Sequence, residues 1–155
     1  MKTFLNTKTS EFVEVKEVAP VEKIKPKFEH AQMLEALYFI HDLFSRPNIP
    51  FFLLDETARQ VKNRELLSGR ALIVGIRKVD FQERNISMME AVFPADVVGK
   101  DFICYTYIGV PIRVLVLHER GDMFTNPDTV MYQHEFFNIP NPFEEYWANR
   151  MLYHG

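Results

Sequence analysis

Regular spacing of apolar residues predicts a long helix early in the chain. Between Phe28 and Arg46 the apolar positions recur at steps of three and four, the spacing of one face of an amphipathic helix. The positions are Phe28, Ala31, Leu34, Leu37, Tyr38 and Phe44. Pro47 and Asn48 predict its end. His41 falls on the same face, and because a lone histidine there is typical of a core residue, we assign it no chemistry.

Short apolar runs predict the next elements. Ile49 to Leu54 and Ala71 to Ile76 are continuous apolar stretches typical of buried strands, and the segment between them, Asp55 to Leu67, predicts a helix. A charged stretch from Arg77 to Asn85 follows the second strand. A short helix is then predicted from Ser87 to Phe93, with proline immediately after it.

The clearest strand pair lies in the second half of the chain. Phe102 to Ile108 and Val110 to Leu117 are β-rich runs on both sides of Gly109, which predicts a hairpin. A further strand is predicted from Val130 to Phe137 and a terminal helix from about Phe143 to Tyr153. Together the elements predict an α/β (α+β) fold, with a small mixed β-sheet and flanking helices.

The first 27 residues have a different character. Lys, Glu and Val alternate there, and Pro20 and Pro26 interrupt any helix. We therefore predict a flexible arm or linker over residues 1–27 and a single α/β domain over residues 28–155. Because valines alternate with charges from Phe12 to Val18, the alternative is a strand that joins a sheet edge. Either form predicts a protein partner bound through the arm, and a homo-oligomer stays open.

The composition and charge of the chain limit the classes of partner that it is expected to bind. The chain has 155 residues, 47% of them apolar and 14% aromatic, which is enough for one continuous core. Its net charge of -3 is uneven, since the arm holds six Lys and four Glu, and the remainder holds 12 basic and 17 acidic residues. A polyphosphate partner needs a basic surface, so we do not expect broad nucleic-acid binding.

The cysteine content and the hydropathy of the chain allow a prediction of its cellular compartment. The one cysteine, Cys104, has no internal disulfide partner and lies in the apolar run FICYTYI, which predicts a buried thiol in a reducing setting. The N-terminus lacks the apolar run of a signal peptide, and no segment approaches the ~18 apolar residues of a membrane span. We expect a cytoplasmic protein, or one assembled in a particle, that is neither secreted nor in a membrane.

Acidic residues are the first candidates for catalysis, because hydrolysis and phosphoryl transfer need carboxylates that converge on a metal ion or a proton. The candidates are Asp55, Glu56, Asp80, Glu83, Glu119 and Asp122. None belongs to an Asp-x-Asp pair on a strand, which would place two carboxylates on one face. Helix capping and solvated loop charge explain them. His118 and Glu119 form a polar cluster at a strand end, for which a charged exit from the sheet is the favoured interpretation.

Other familiar sites have no sequence signature. Neither Ser68 nor Ser87 lies in a Gly-x-Ser-x-Gly turn, and there is no Walker-type loop and no Gly-x-Gly-x-x-Gly. The five histidines lack cysteine partners and close spacing, so no metal site is expected.

Residues 49 to 76 nevertheless resemble the opening of the nucleotidyltransferase fold, especially its LicD-like branch. The resemblance lies in the order of the strand IPFFLL, the turn and helix DETARQVKNRELLSG and the strand ALIVGI. In that family the second strand carries Asp-x-Asp before a glycine, and these aspartates bind the divalent metal that holds the nucleoside triphosphate. Here Ala71 and Ile73 precede Gly75. The C-terminal segment IPNPFEEYWANRMLYHG is similar to the family's closing Pro-rich loop and helix.

The resemblance implies a nucleotidyltransferase-like fold without its metal carboxylates. Neither alanine nor isoleucine can ligate Mg²⁺, so it implies a non-catalytic domain that acts as a binding or assembly component and needs no cofactor. Thr57, Arg77, Lys78 and His118 are the candidate ligand-binding residues of a remnant pocket, and Arg77 with Lys78 would suit a phosphate. A solvated loop is the favoured interpretation of that pair.

Two alternatives remain. One is an active nucleotidyltransferase, dependent on Mg²⁺ and a nucleotide, with displaced carboxylates from Asp55, Glu56, Asp80 and Glu119. It requires these side chains to converge on one ion. The other is a structural component of a phage or another large particle, which the arm and the small size would suit.

Overall fold

The computed structural model describes residues 27–118, 127–142, 144 and 146. Its helices are α1 (His30–Ser45), α2 (Asp55–Lys62) and α3 (Glu83–Val92), with a 3-10 turn at Lys78–Asp80. Its strands are β1 (Phe51–Leu53), β2 (Leu72–Arg77), β3 (Val97–Val98), β4 (Phe102–Tyr107), β5 (Val110–Leu117), β6 (Asp128–Tyr132) and β7 (Glu135–Ile139).

All of these strands form one mixed sheet in the order β3-β4-β5-β2-β1-β7-β6. The central strand β2 runs antiparallel to β1 and parallel to β5, and β1 runs parallel to β7. The two outer hairpins, β4-β5 and β6-β7, are antiparallel. The predicted mixed sheet with flanking helices is therefore confirmed.

Helix α1 covers one face of the sheet. A capping box starts it, in which the backbone N–H of Glu29 donates to Gln32 Oε1 at 3.2 Å. The helix packs against β2, β5 and α3, and its buried residues are Met33, Ala36, Leu37, Ile40, Leu43 and Phe44. The predicted apolar face is confirmed at Leu37 and Phe44 and wrong at Ala31 and Tyr38, which are exposed. Apolar residues spaced three and four apart are compatible with two overlapping apolar faces of the helix, and the face that includes Met33 and Ile40 packs on the sheet.

Alternation along β2 divides its side chains between two faces. Leu72, Val74 and Ile76 are fully buried in the main core, whereas Ile73 and Arg77 lie on the opposite face and are half-buried. Gly75 lies between the latter two, and a Cβ there would approach Leu54 Cδ1 at 2.9 Å and Leu117 Cδ1 at 3.0 Å. A second apolar contact region therefore exists on the face away from α1.

Several predicted boundaries need correction. The single strand predicted from Val130 to Phe137 is wrong, because the chain turns back at Gln133 and His134, which have φ values of 51° and 74°. No Gly, Asn or Pro marks that turn, so the aromatic run conceals it. Helix α2 ends at Lys62, earlier than predicted, and α3 begins at Glu83 within the stretch predicted to be charged loop.

Other predictions fall partly outside the described residues. The arm over residues 1–26 and most of the terminal helix lie outside them, although Pro142, Glu144 and Tyr146 are helical. The Cys104 thiol is half-buried, less enclosed than predicted. Within the described part of the chain, no helix has the length and apolar character needed to cross a membrane.

The β4-β5 turn contains an unfavourable residue. Ile108 and Gly109 occupy its two central positions with φ values of 44° and 83°, and the left-handed region is costly for a β-branched side chain. Asn-Gly is the preferred pair for such a two-residue hairpin turn. We expect Ile108→Asn to raise the free energy of unfolding by about 1 kcal/mol, measured by urea denaturation. Lower stability than the wild type would contradict the assigned turn.

Tyr105 makes stability depend on alkaline pH. Its side chain is buried, and burial, together with the nearby Glu90 carboxylate, raises the pKa of Tyr105 from its ordinary value of 10.0 to about 12. The stabilisation is complete below pH 10 and is lost as pH rises towards 12, because the unfolded chain releases the phenolic proton first. Denaturation midpoints of wild type should therefore fall between pH 10 and 12 more steeply than those of Tyr105→Phe. Equal slopes would contradict this assignment.

Candidate functional site

The first candidate site is the region where β1 ends and β2 begins. It comprises residues 54–57 and 71–73, and we call it the β2-start region. Asp55 and Glu56 are exposed at the first turn of α2, and Asp55 has a φ of 53°. Their carboxylates suit the positive end of the helix dipole. The sequence resemblance implies a metal-binding site in this region, at the positions that Ala71 and Ile73 occupy.

The inner face of α2 is occupied by structural hydrogen bonds. Thr57 is 2% exposed, and its Oγ1 accepts a bond from the backbone N–H of Ile73 at 3.4 Å. Gln60, also buried, donates through Nε2 to the Ser68 carbonyl at 3.1 Å and accepts from the Ser68 N–H at 3.2 Å. Thr57 thus fixes the start of β2 and does not face an open pocket.

Glu56 is engaged by an arginine one helical turn away. Arg59 donates to it through Nη2 at 2.7 Å and through Nε at 3.1 Å, and Arg59 Nη1 also contacts Glu65 at 3.0 Å. The hydrogen bond from Arg59 lowers the pKa of Glu56, and the same pairing raises the pKa of Arg59. Glu56 is therefore ionised at neutral pH but directed along the exposed face of α2.

The β2-start region has little acidic character on the sheet itself. Ala71 and Ile73 are half-buried, and the residue directly opposite Ile73 on β5 is Arg113, which is exposed. Over residues 27–118, 127–142, 144 and 146, no group of three or more His, Cys, Asp and Glu side chains is placed to hold a metal ion. On the sheet side of this region the side chains are therefore apolar and cationic, and its two carboxylates are on the exposed first turn of α2.

Sheet topology separates the candidate carboxylates. Asp55 follows the end of β1 and Asp80 follows the end of β2, and these strands are antiparallel, so the two residues lie at opposite ends of the pair. From Leu72 to Arg77 alone the strand covers about 17 Å at ~3.3 Å per residue. One ion cannot take ligands from both. Glu119 lies outside the described residues.

The second candidate site is a groove of about 490 Å³ beside the end of β2. We call it the β2-end groove. It lies between the end of α1, the start of β1, the end of β2 and the start of β7. The residues that line it are His41, Ser45, Asn48, Ile49, Pro50, Phe51, Arg77, Phe136, Phe137 and Asn138. Its volume is in the range of small-molecule sites.

Of the predicted ligand-binding residues, only Arg77 lines this groove. Its Nε donates to Asp80 Oδ2 at 3.2 Å. Lys78 is exposed on the 3-10 turn. His118 is at the same end of the sheet because β5 is parallel to β2, but its Nε2 contacts Asp101 Oδ2 at 3.9 Å. The structure therefore does not bring Thr57, Lys78 and His118 into one pocket with Arg77.

Sequence reasoning missed most of the groove. His41 was assigned to the core, yet its side chain is 36% exposed and its Nε2 lies 3.6 Å from Glu135 Oε1. Phe136 and Asn138 belong to β7, a strand that was not separated from β6. Burial alternates along β7 from the exposed Phe136 to the buried Phe137 and Ile139, but the two adjacent phenylalanines hide this period in the sequence, so no local signal marks the strand.

Comparisons with known proteins bear on the fold. No protein-family model matches the chain, and no curated protein matches it. Among solved structures, a Thermotoga maritima protein described as a putative nucleotidyltransferase is similar, with a TM-score of 0.57 and 10% identity. The match covers 81% of this chain and 87% of that one. The nucleotidyltransferase-like fold is thus confirmed, and at this identity the likeness concerns the fold alone.

Proposed function

We propose that this chain is a non-catalytic domain of nucleotidyltransferase-like fold that acts as a binding or assembly component. The observation that carries the proposal is the chemistry around Ala71 and Ile73, which we take as the equivalents of the family's metal-binding aspartates. Ile73 is half-buried and lies opposite Arg113. A cation in that position repels a divalent metal ion.

Loss of the metal would remove most of the catalytic machinery for nucleotidyl transfer. Metal ions neutralise the charge that develops on the phosphate oxygens, and they align the attacking and leaving groups. Apolar side chains provide neither effect. A domain that keeps this fold without the carboxylates retains its surfaces, and these surfaces would then bind a partner.

The active alternative needs Asp55 and Asp80 to act together. Their positions at opposite ends of the antiparallel pair β1-β2 argue against that arrangement. Asp80 is also paired with Arg77 at 3.2 Å, and Glu56 is paired with Arg59 at 2.7 Å. A metal ion would have to compete with both arginines.

Assembly in a larger particle is the second candidate role. It rests on the charge-alternating sequence of residues 1–27, which suits an extended segment that adds to a partner. Light scattering of the full chain would test it. A strictly monomeric protein at high concentration, with no self-association, would count against this role.

Restoring the carboxylates tests the main proposal. Residues 71 and 73 lie on one face of an extended segment, about 7 Å apart, so Ala71→Asp with Ile73→Asp should create a Mn²⁺ site detectable by electron paramagnetic resonance. The matched control is the uncharged pair Ala71→Asn with Ile73→Asn, which should gain none. Saturable Mn²⁺ binding by the wild type, with the same affinity as that of the aspartate variant, would overturn the proposal. Circular dichroism would verify that each variant is folded.

A further inference from the structure

The β2-end groove combines an apolar floor with a polar rim. Ile49, Phe51 and Phe137 are buried at its base, whereas Phe136 is 61% exposed at its edge. The Phe51 and Phe137 rings lie edge to face, with centroids 6.4 Å apart. Phe136 and Phe137 follow each other on β7 and project from opposite faces, so a flat hydrophobic group on the outer face would contact the exposed Phe136 ring.

Arg77 is the cation of this groove. Its side chain is 25% exposed, and its Nε donates to Asp80 Oδ2 at 3.2 Å. Among the described residues, no hydrogen-bond acceptor is in reach of its Nη1 and Nη2 groups. A guanidinium that uses one donor internally and keeps its outer donors available suits a planar oxyanion.

Asn138 adds a polar group in the same space. It is half-buried on β7, and its Nδ2 donates to the Phe51 carbonyl at 3.4 Å, a long bond. Since Phe52 pairs directly with Asn138, the amide projects from the same face of the sheet as Arg77, two strands away. The amide oxygen can accept a hydrogen bond, and the long bond from Nδ2 can exchange for a better acceptor.

Charge decides which anion the groove would take. Arg77 is the one Lys or Arg in the groove lining, and Asp80 already offsets part of its charge. Glu135 lies just outside, 3.6 Å from His41. A phosphate dianion or a nucleotide would meet too little positive charge, and a divalent cation would find no carboxylate in the lining. A monoanion with an apolar body fits best.

We propose that the β2-end groove binds a small aromatic carboxylate, with the carboxylate on the outer edge of the Arg77 guanidinium and the ring against the exposed Phe136 side chain, which projects from the same face of the sheet as Arg77 and Asn138. This site is separate from the β2-start region, from which it is divided by the length of β2. The proposal therefore stands whether or not the protein binds metal or nucleotide.

The test is a titration of the full chain with benzoate and phenylacetate, followed by heteronuclear NMR. Saturable shifts are expected at the Arg77 Nε–H and the Asn138 side-chain amide. Benzamide, which has the same ring without the charge, should bind at least tenfold more weakly. Equal affinity for benzamide, shifts confined to other parts of the protein, or no saturable shifts would overturn the proposal.

Variants make the test specific. Arg77→Gln should weaken benzoate binding tenfold or more, and Phe136→Ala should weaken it several-fold without affecting folding, because that ring is mostly exposed. Asp80→Asn should strengthen binding, since it removes the charge that offsets Arg77. The matched control is Arg113→Gln, which replaces an exposed arginine on the same sheet face outside the groove and should leave the affinity for benzoate unchanged.

Two outcomes would contradict the proposal. An unchanged affinity for benzoate in both Arg77→Gln and Phe136→Ala would refute the site. Tighter binding of inorganic phosphate than of benzoate would show that the groove prefers a different anion.

Discussion

Replacing Phe44 by alanine is expected to lower the free energy of unfolding by about 3–5 kcal/mol. The side chain is fully buried at the end of α1, and its ring contacts Phe51 edge to face at a centroid distance of 5.4 Å. Removal would leave a cavity between α1 and β1, the two elements that position the β2-end groove. Urea denaturation followed by circular dichroism would measure the loss.

Phe136→Ala is the matched control, because it deletes the same side chain from an exposed position on β7. Its free energy of unfolding should change by about 0.5 kcal/mol or less. Comparable losses in the two variants would mean that Phe44 is not in the main core as placed. Since domains of this size are stable by only about 5–15 kcal/mol, the Phe44 variant should lose a large fraction of the stability of the protein.

Gln60→Ala should destabilise the protein by about 2–3 kcal/mol. The Gln60 amide is 4% exposed and satisfies both the N–H and the carbonyl of Ser68, which precedes β2. Without it, both backbone groups would lose a hydrogen bond that is partly buried against α2, although the Ser68 residue itself is exposed. The loss should appear as a lower urea midpoint with an unchanged slope.

Gln82→Ala provides the comparison for this loss. Gln82 Nε2 also donates to a backbone carbonyl, that of Val79, at 2.7 Å, but the bond is exposed and water can replace it. We expect a change of about 0.5 kcal/mol or less. If Gln82→Ala were as destabilising as Gln60→Ala, burial would not be the reason that the Gln60 bonds matter.

Two polar residues of α2 explain how the β2-start region is organised. Thr57 and Gln60 lie on the inner face of α2 and bond to the backbone on both sides of the β2 start. Both are polar residues near the position where the resemblance implies a metal site. Their hydrogen bonds are nevertheless internal, and they stabilise the turn into β2.

The parts of the fold that the sequence predicts well are those with strong local signals. The β4-β5 hairpin follows from two β-rich runs around Gly109, and the mixed sheet follows from alternating apolar runs and helices. Strands β1 and β2 are continuous apolar runs because β2 is buried between neighbours on both sides. Their antiparallel pairing, which separates Asp55 from Asp80, is a tertiary feature that no local pattern encodes.

Other features depend on choices that local sequence leaves open. The turn at Gln133 and His134 uses residues without turn preference, so β6 and β7 look like one strand. The β2-end groove draws on α1, β1, β2 and β7, and its most distant lining residues, His41 and Asn138, are 97 positions apart along the chain. Such a site appears only when the sheet order is known, because the β6-β7 hairpin joins beside β1, separated by β1 and β2 from β5, the strand that precedes it in the chain.

The two ends of β2 thus have different chemistry. The start is apolar, with Arg113 opposite Ile73, and its nearby polar residues are used internally. The end has a half-buried arginine with outer donors available in a groove with aromatic walls. The binding role proposed for the end of β2 therefore does not depend on the chemistry at its start.

Isothermal titration of the full chain with nucleoside triphosphates, in the presence and absence of Mg²⁺, tests the central claim most directly. If the domain has a nucleotidyltransferase-like fold without a metal site, Mg²⁺ should add no saturable heat for any of the nucleotides. Tight nucleotide binding that requires Mg²⁺, and that is lost on chelation, would contradict the claim and would favour the alternative of an active nucleotidyltransferase.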